Sequence, residues 1–360
     1  MEPSIVTIGV IAAEAGEGLQ RTLASVRSQS YSALEIVVLS PDDPEVPDIT
    51  WVQAAPSESI AARYDRLRAH AHQDYLLVLD DRSVICPETV AKSVAYLEDH
   101  PSHVAVYGPT VFETASGAEK CLPVSIHAGA PDKRVEALFR NLTHIGPWYG
   151  LRRRIAGDFP LMASVGAELY YLAGLAWSGG IGAIADIECH VAARPGFHLT
   201  REDVGRLGCH VYQAEDPALS AIALVFCGLG VVDNRYSQIS MMERLRIATA
   251  AEEGIRANVD ILDDEVLLIP YCSRLFKEYN ITKALRDVRI EISKVILSSN
   301  SEYPPKYMMD IVNCLCRFRI GNLPPDDQDA PIIERMDKLL ADSPNKGDQN
   351  RATLVTAMYY

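Results

Sequence analysis

Between Ser4 and Thr114, short β-branched and aliphatic runs alternate with stretches whose apolar residues recur every three to four positions. That alternation leaves few folds open. "SIVTIGVIAA" (Ser4–Ala13) is apolar at nearly every position, as a strand buried on both faces must be. "EGLQRTLASVRSQ" then places Leu19, Leu23 and Val26 on one helical face. "LEIVVLS" (Leu34–Ser40) is a second buried strand, "PDDPEVPD" a loop, and "ITWVQA" a short third strand. "SESIAARYDRLRAHA" carries Ile60, Tyr64, Leu67 and Ala71 at helical spacing, with Ser57 as the expected cap. "DYLLVLD" is a strand, and "CPETVAKSVAYLEDH" a helix opened by Pro87 with Val90, Val94 and Leu97 as its stripe. "HVAVYGPTVFET" is a strand bent at Gly108-Pro109. Strand–helix alternation of this kind predicts an α/β fold with a mixed, mostly parallel sheet flanked by helices. Ligands of such sheets bind beyond the carboxyl ends of the strands. Ala12–Glu14, Pro41–Asp43 and Asp80–Arg82 are therefore expected on one rim.

From Arg134 to Gly180 the pattern is helical, interrupted by a long loop from His144 to Glu168. Beyond "REDVGRLG" it is helical almost throughout, to about Leu340. The expected division is a sheet domain over 1–205, a helical region over 206–345 and a polar, mobile tail over 346–360. The formal net charge of -14 argues against nucleic acid as a partner. Cysteines without framework spacing fit a reducing cytoplasm. The opening residues show no leader pattern. The apolar run Ala218–Val232 is too short to span a membrane and is expected to be a buried helix.

The order of several segments resembles the family 2 glycosyltransferases. "RTLASVRSQSYSALEIVVLS" is similar to that family's first helix and second strand, with Ser25, Gln29 and Tyr31 linking them. "IAARYDRLRAHAHQDYLLVLDD" resembles the helix with Ala62-Arg63 and the acidic strand end after it. "CPETVAKSVAYLEDHP", "YGLRRR" (Tyr149–Arg154), "GAELYYLAGLAWSGGIGAI" and "ARPGFH" (ending at His198) follow in the family's order. The resemblance ends near residue 200. It implies a GT-A fold, Rossmann-like and nucleotide-sugar-binding. It also implies transfer of a sugar from a nucleotide-diphosphate donor, UDP-sugar by default, to a hydroxyl on a glycan, a lipid-linked glycan or a small natural product. The implied outcome is inversion.

The resemblance also implies roles for residues. Glu168 stands where the family carries its general base, more often an aspartate. Ala12 and Glu14 follow the first strand, without the family's aromatic stacking residue. Asp42 and Asp43 stand where an acid contacts the base or ribose, Arg63 where an arginine contacts the donor, and His198 where a histidine closes the domain. Tyr149 and Arg153 precede the acceptor region and are expected to contact acceptor or phosphate. The family's Asp-x-Asp pair holds Mg²⁺ or Mn²⁺ against the diphosphate, because hard cations select carboxylate and phosphate oxygens. Here Asp80 keeps the first position and Arg82 replaces the second acid. Three outcomes stay open: a cation held by Asp80 and Asp81, a guanidinium from Arg82 in the metal's place, or lost activity. A non-catalytic protein of the same fold, binding a nucleotide sugar, glycan or protein, is the alternative to an enzyme. The helical region is expected to supply an acceptor site, a homodimer interface or a membrane-peripheral surface, with no transmembrane segment.

Overall fold

The computed structural model describes residues 3–114, 117–127, 129–157, 161–192, 209, 213, 217–258, 280–299, 305–317 and 323–359. The chain divides into two compact units, Met1–Ala221 with Gly254–Val259 and Ile222–Glu253 with Asp260–Tyr360.

In the first unit the strands are β1 (Val6–Ile11), β2 (Leu34–Ser40), β3 (Thr50–Gln53), β4 (Tyr75–Asp80), β5 (Ser83–Ile85), β6 (His103–Tyr107), β7 (Thr110–Thr114), β8 (Gly117–Cys121), β9 (Leu151–Arg153), β10 (Gly180–Ala183) and β11 (Cys189–Val191). Among the described residues they form a seven-stranded sheet, β10-β6-β9-β4-β1-β2-β3, and a smaller one, β5-β11-β7-β8. The helices are α1 (Glu17–Arg27), α2 (Ile60–His70), α3 (Thr89–Asp99), α4 (Pro131–Asn141) and α5 (Ala167–Ser178). Val6, Ile8 and Val10 of β1 are wholly buried, as their unbroken apolar run requires. Gly9 is part of that packing: a Cβ there would come within 2.2 Å of Leu67 on α2.

Register explains the rim. Ile11 pairs with Leu39 on one side and with Asp80 on the other, so β1, β2 and β4 end together. The three expected segments do leave the sheet from one edge. β3 ends there too, with Gln53 opposite Ser40. The bend at Gly108-Pro109 carries the chain from the large sheet to the small one.

The structure departs from the sequence reading in several elements, and Gly117–Cys121, read as part of a turn, is strand β8. The helix-spaced run after β3 is capped by Ser59, which accepts from the Ala62 N–H at 3.2 Å, rather than by Ser57. Inside the expected long loop, Leu151–Arg153 forms a strand antiparallel to both β4 and β6. The stretch expected to be a mobile tail is helical, as follows.

In the second unit the described helices include α7 (Met241–Arg256), α8 (Thr282–Ser298), α9 (Lys306–Arg317), α10 (Ala330–Asp342) and α11 (Lys346–Thr356), after α6 (Pro217–Cys227), whose first turns belong to the first unit. Asn345 caps α11 by accepting from the Gly347 N–H at 2.9 Å. Ala352, Val355, Met358 and Tyr359 bury its end against the unit's own helices. Polar composition concealed this helix because only one face of it needs to be apolar.

Candidate active site

A cleft of about 320 Å³ opens at the carboxyl rim of the large sheet. Ile11 and Ala13 come from the end of β1, Leu79 and Asp80 from the end of β4. Arg63 comes from α2, Trp148 and Tyr149 from the turn before β9, and Glu168 from α5. The loop Pro56–Ser59 after β3 completes the wall.

Asp80 is fixed by three donors. Its Oδ1 accepts from the Arg82 N–H at 3.1 Å and the Ser83 hydroxyl at 2.7 Å, and its Oδ2 accepts from the Tyr149 hydroxyl at 3.2 Å. Tyr149 is buried, and burial together with the Asp80 charge holds its hydroxyl protonated well above the usual phenol range. Asp81 turns the other way, as neighbouring strand residues do. Its Oδ2 accepts from the Ala13 N–H at 2.8 Å, which ties the acidic turn to the end of β1, while Oδ1 lies 3.8 Å from Arg82. Gly18 makes this closeness workable: a Cβ there would meet the Asp81 carbonyl at 2.6 Å.

These two carboxylates do not fit the divalent cation that the resemblance implies. They diverge, each already takes hydrogen bonds on both or one of its oxygens, and Asp81 is not in the cleft wall. Among the described residues, no three His, Cys, Asp or Glu side chains come together as a metal site. Arg82 does not face the cleft either. It is half-exposed and lines a separate hollow with Arg21, Glu113 and His190.

Arg63 is buried in the cleft wall, and its guanidinium is committed to backbone. It donates to the Ala12 and Ala55 carbonyls, bracing the end of β1 against the loop after β3. Burial lowers its pKa, against the opposing pull of Glu58 and Asp81. Ala12 therefore contributes a carbonyl to the wall's framework, and Ala13 is the neighbour that reaches the cleft. Glu14, Asp42 and Asp43 are exposed on the same rim outside the cleft wall. Asp43 accepts from the Glu45 N–H at 2.9 Å, stabilising a turn in which Glu45 has a φ of 53°. His198 lies outside the described residues.

Glu168 stands in the first turn of α5, where the helix dipole favours a carboxylate. The approach to it is built with care. Gly166, at a φ of 87°, begins the helix in a left-handed conformation that a side chain would strain. Buried Gln213 accepts from the Val165 N–H at 2.8 Å and from the Ser164 hydroxyl at 3.1 Å, holding the preceding turn.

The antiparallel run of β9 separates two residues that sequence placed together. Tyr149 precedes the strand and lies at the rim. Arg153 ends it, opposite Tyr75 at the amino end of β4. Its guanidinium donates to the His103 and Leu97 carbonyls there. The structure does not bring Arg153 to the cleft, so its expected contact with acceptor or phosphate gives way to a bracing role.

The fold is shared with S. aureus TarS. A crystal structure of residues 1–349 of that protein superposes with a TM-score of 0.50 at 12% identity, over 98% of this chain and 90% of the other. A crystal structure of the same segment in complex with UDP-GlcNAc gives 0.47 at 13% identity, over 98% and 91%. At such identity the likeness concerns the fold. No family model matches the sequence, and no curated protein sequence matches it.

Trp148 and the Pro56–Ser59 loop were not identified from sequence. The signal for Trp148 was present in "GPWYG", an aromatic pair between glycines in a long loop. Nothing in the loop's own residues marks it, because it reaches the cleft only through the register of β3.

Proposed function

We propose that the chain is a family 2-type glycosyltransferase that moves a sugar from a nucleotide-diphosphate donor, UDP-sugar by default, to a hydroxyl acceptor with inversion. The observation that carries this reading is the pairing of Glu168 and Asp80 in the wall of one cleft at the carboxyl rim of the sheet. The fold shared with TarS supports it.

In this reading Glu168 takes the proton of the acceptor hydroxyl. The acceptor oxygen bonds to the anomeric carbon as the bond to the diphosphate oxygen breaks. The nucleoside diphosphate leaves with the electron pair. Asp80, held by Tyr149 and Ser83, orients the donor from the end of β4. Trp148 offers an aromatic face for the base or the sugar, in place of the aromatic residue missing after β1. No step is assigned to a metal.

The test is transfer and hydrolysis of UDP-, dTDP- and GDP-sugars by the wild type and by Glu168→Gln. The expected result is loss of turnover by about 10²-fold or more in the variant, with donor affinity retained. Equal turnover in both proteins removes Glu168 from the mechanism. Donor binding without hydrolysis or transfer by the wild type, across acceptors of the three classes, favours the non-catalytic alternative. The loss of the second motif acid to Arg82 is the observation that keeps that alternative in view.

A further inference from the structure

Arg152 is 1% exposed, and its Nε, Nη1 and Nη2 atoms have no hydrogen-bond partner. Among the described residues it makes no ion pair. Three aromatic rings surround it instead, with the guanidinium carbon 5.0 Å from the Tyr171 centroid, 5.1 Å from Trp148 and 5.9 Å from Tyr64. The rings pack on one another at 5.2 to 5.6 Å. Cation–π contact attracts the charge but satisfies none of its N–H groups and does not neutralise it. A buried cation with neither counter-ion nor hydrogen bonds is costly, and such a group calls for a compensating partner.

Every wall of this box belongs to an element that also lines the cleft. Trp148 is itself a cleft residue. Tyr64 follows Arg63 on α2, and Tyr171 lies one turn beyond Glu168 on α5. The buried charge therefore sits one side chain behind the cleft. The described wall in front of it sets three acids, Glu58, Asp80 and Glu168, against one arginine, Arg63. Glu58 is paired with Arg66 at 2.8 Å, and Arg63 directs Nη1 and Nη2 to two carbonyls. A low-dielectric wall carries the field of such a charge further than water would.

We propose that Arg152, caged by Tyr64, Trp148 and Tyr171, supplies the positive field that makes this cleft selective for an anionic ligand, the diphosphate of a nucleoside diphosphate. The inference rests on the donor-site reading given above and deepens it. Arg152 touches neither reactant. It acts across Trp148, lowers the cost of placing a diphosphate beside Asp80 and Glu168, and takes over part of what a divalent cation would contribute.

The test is calorimetric titration in EDTA of wild type, Arg152→Met and Arg152→Lys. UDP, dTDP and GDP are each compared with the matching uncharged nucleoside. The wild type is expected to prefer at least one diphosphate over its nucleoside. Arg152→Met is expected to bind that diphosphate about ten-fold or more weakly, equivalent to about 1.4 kcal/mol, and the nucleoside within about two-fold of wild type. Arg152→Lys is expected to restore most of the preference, which packing alone would not do. Urea unfolding without ligand checks that Arg152→Met is folded, and Arg152→Gln replaces it if it is not. A neutral variant that keeps the full diphosphate preference overturns the proposal alone. So does one that loses diphosphate and nucleoside equally. A wild type that binds none of the three diphosphates overturns the donor-site reading and this proposal with it.

Discussion

Arg152 in the sheet unit and Arg289 in the helical unit are both completely buried, and they are housed in opposite ways. Arg289, on α8, meets Asp329 at 2.6 Å with both side chains fully enclosed, donates to the Leu323 carbonyl at 2.8 Å, and lies 4.2 Å from the Tyr359 ring centroid. Its anion is itself satisfied by the Tyr359 hydroxyl and the Asp326 N–H. One charge is closed within the fold. The other has aromatic walls and, among the described residues, no anion. A protein can bury a cation for structure or hold one in reserve for a ligand, and the counter-ion distinguishes the two.

The largest effect should come from opening the closed pair. Arg289→Met takes the close cation from the Asp329 carboxylate and leaves it the Tyr359 hydroxyl, the Asp326 N–H and the more distant Arg286 at 3.7 Å. A loss of about 3–5 kcal/mol is expected by urea unfolding. Combining it with Asp329→Asn, which removes the charge and keeps an acceptor, should recover more than about 1 kcal/mol of that loss. Simple additivity would show that the pair does not act as a unit.

Next comes N-capping at the cleft. Ser59→Ala removes the cap of α2 and should cost about 1 kcal/mol. Unfolding followed by tryptophan fluorescence should register it, since Trp51, Trp148 and Trp177 all belong to the sheet unit. An unchanged midpoint would mean that the cap contributes nothing to that unit's stability.

The smallest effect is a pH contrast. All nine histidines precede residue 211, so the helical unit has none. Burial depresses the pKa of His103, with help from His127 and His100, and of His144. Both rings therefore bind a proton less readily in the folded unit than in the unfolded chain, which takes up protons near pH 6.5. Their contribution is therefore complete above that pH and is lost as pH falls through it. The fluorescence-monitored midpoint should drop between pH 7.5 and pH 5.5. Hydrogen exchange of 282–298 in α8 should change less over the same interval, and equal sensitivity would erase the contrast.

Much of the sheet was legible because its strands are buried on both faces. "LEIVVLS" became Leu34–Ser40 without adjustment, and the common rim followed from three apolar runs of matching length. β9 was not legible. Two arginines in three residues carry no strand period, and the segment is extended because β4 and β6 each offer it an unpaired edge. Resemblance located Asp80, Arg63, Tyr149 and Glu168, which do meet at one cleft. It could not foresee that Asp81 would bind the Ala13 N–H, that Arg63 would brace carbonyls, or that Arg153 would lie at the far end of its strand. Those outcomes depend on register and side-chain direction, which no single segment encodes.

β9 also sets an order of events as the chain is made. It is the seam of the large sheet: β4 and β6 are joined only through its three residues. The block β3-β2-β1-β4 is complete in sequence by Asp80, and β6 by Tyr107. Neither can close on the other until residues 151–153 have been synthesised. Until then β4 and β6 present open edges, the part of a nascent sheet most prone to pair with the wrong strand. The wait ends with the same short segment that carries Arg152, and α5 then adds Tyr171 to the box and Glu168 to the cleft's wall.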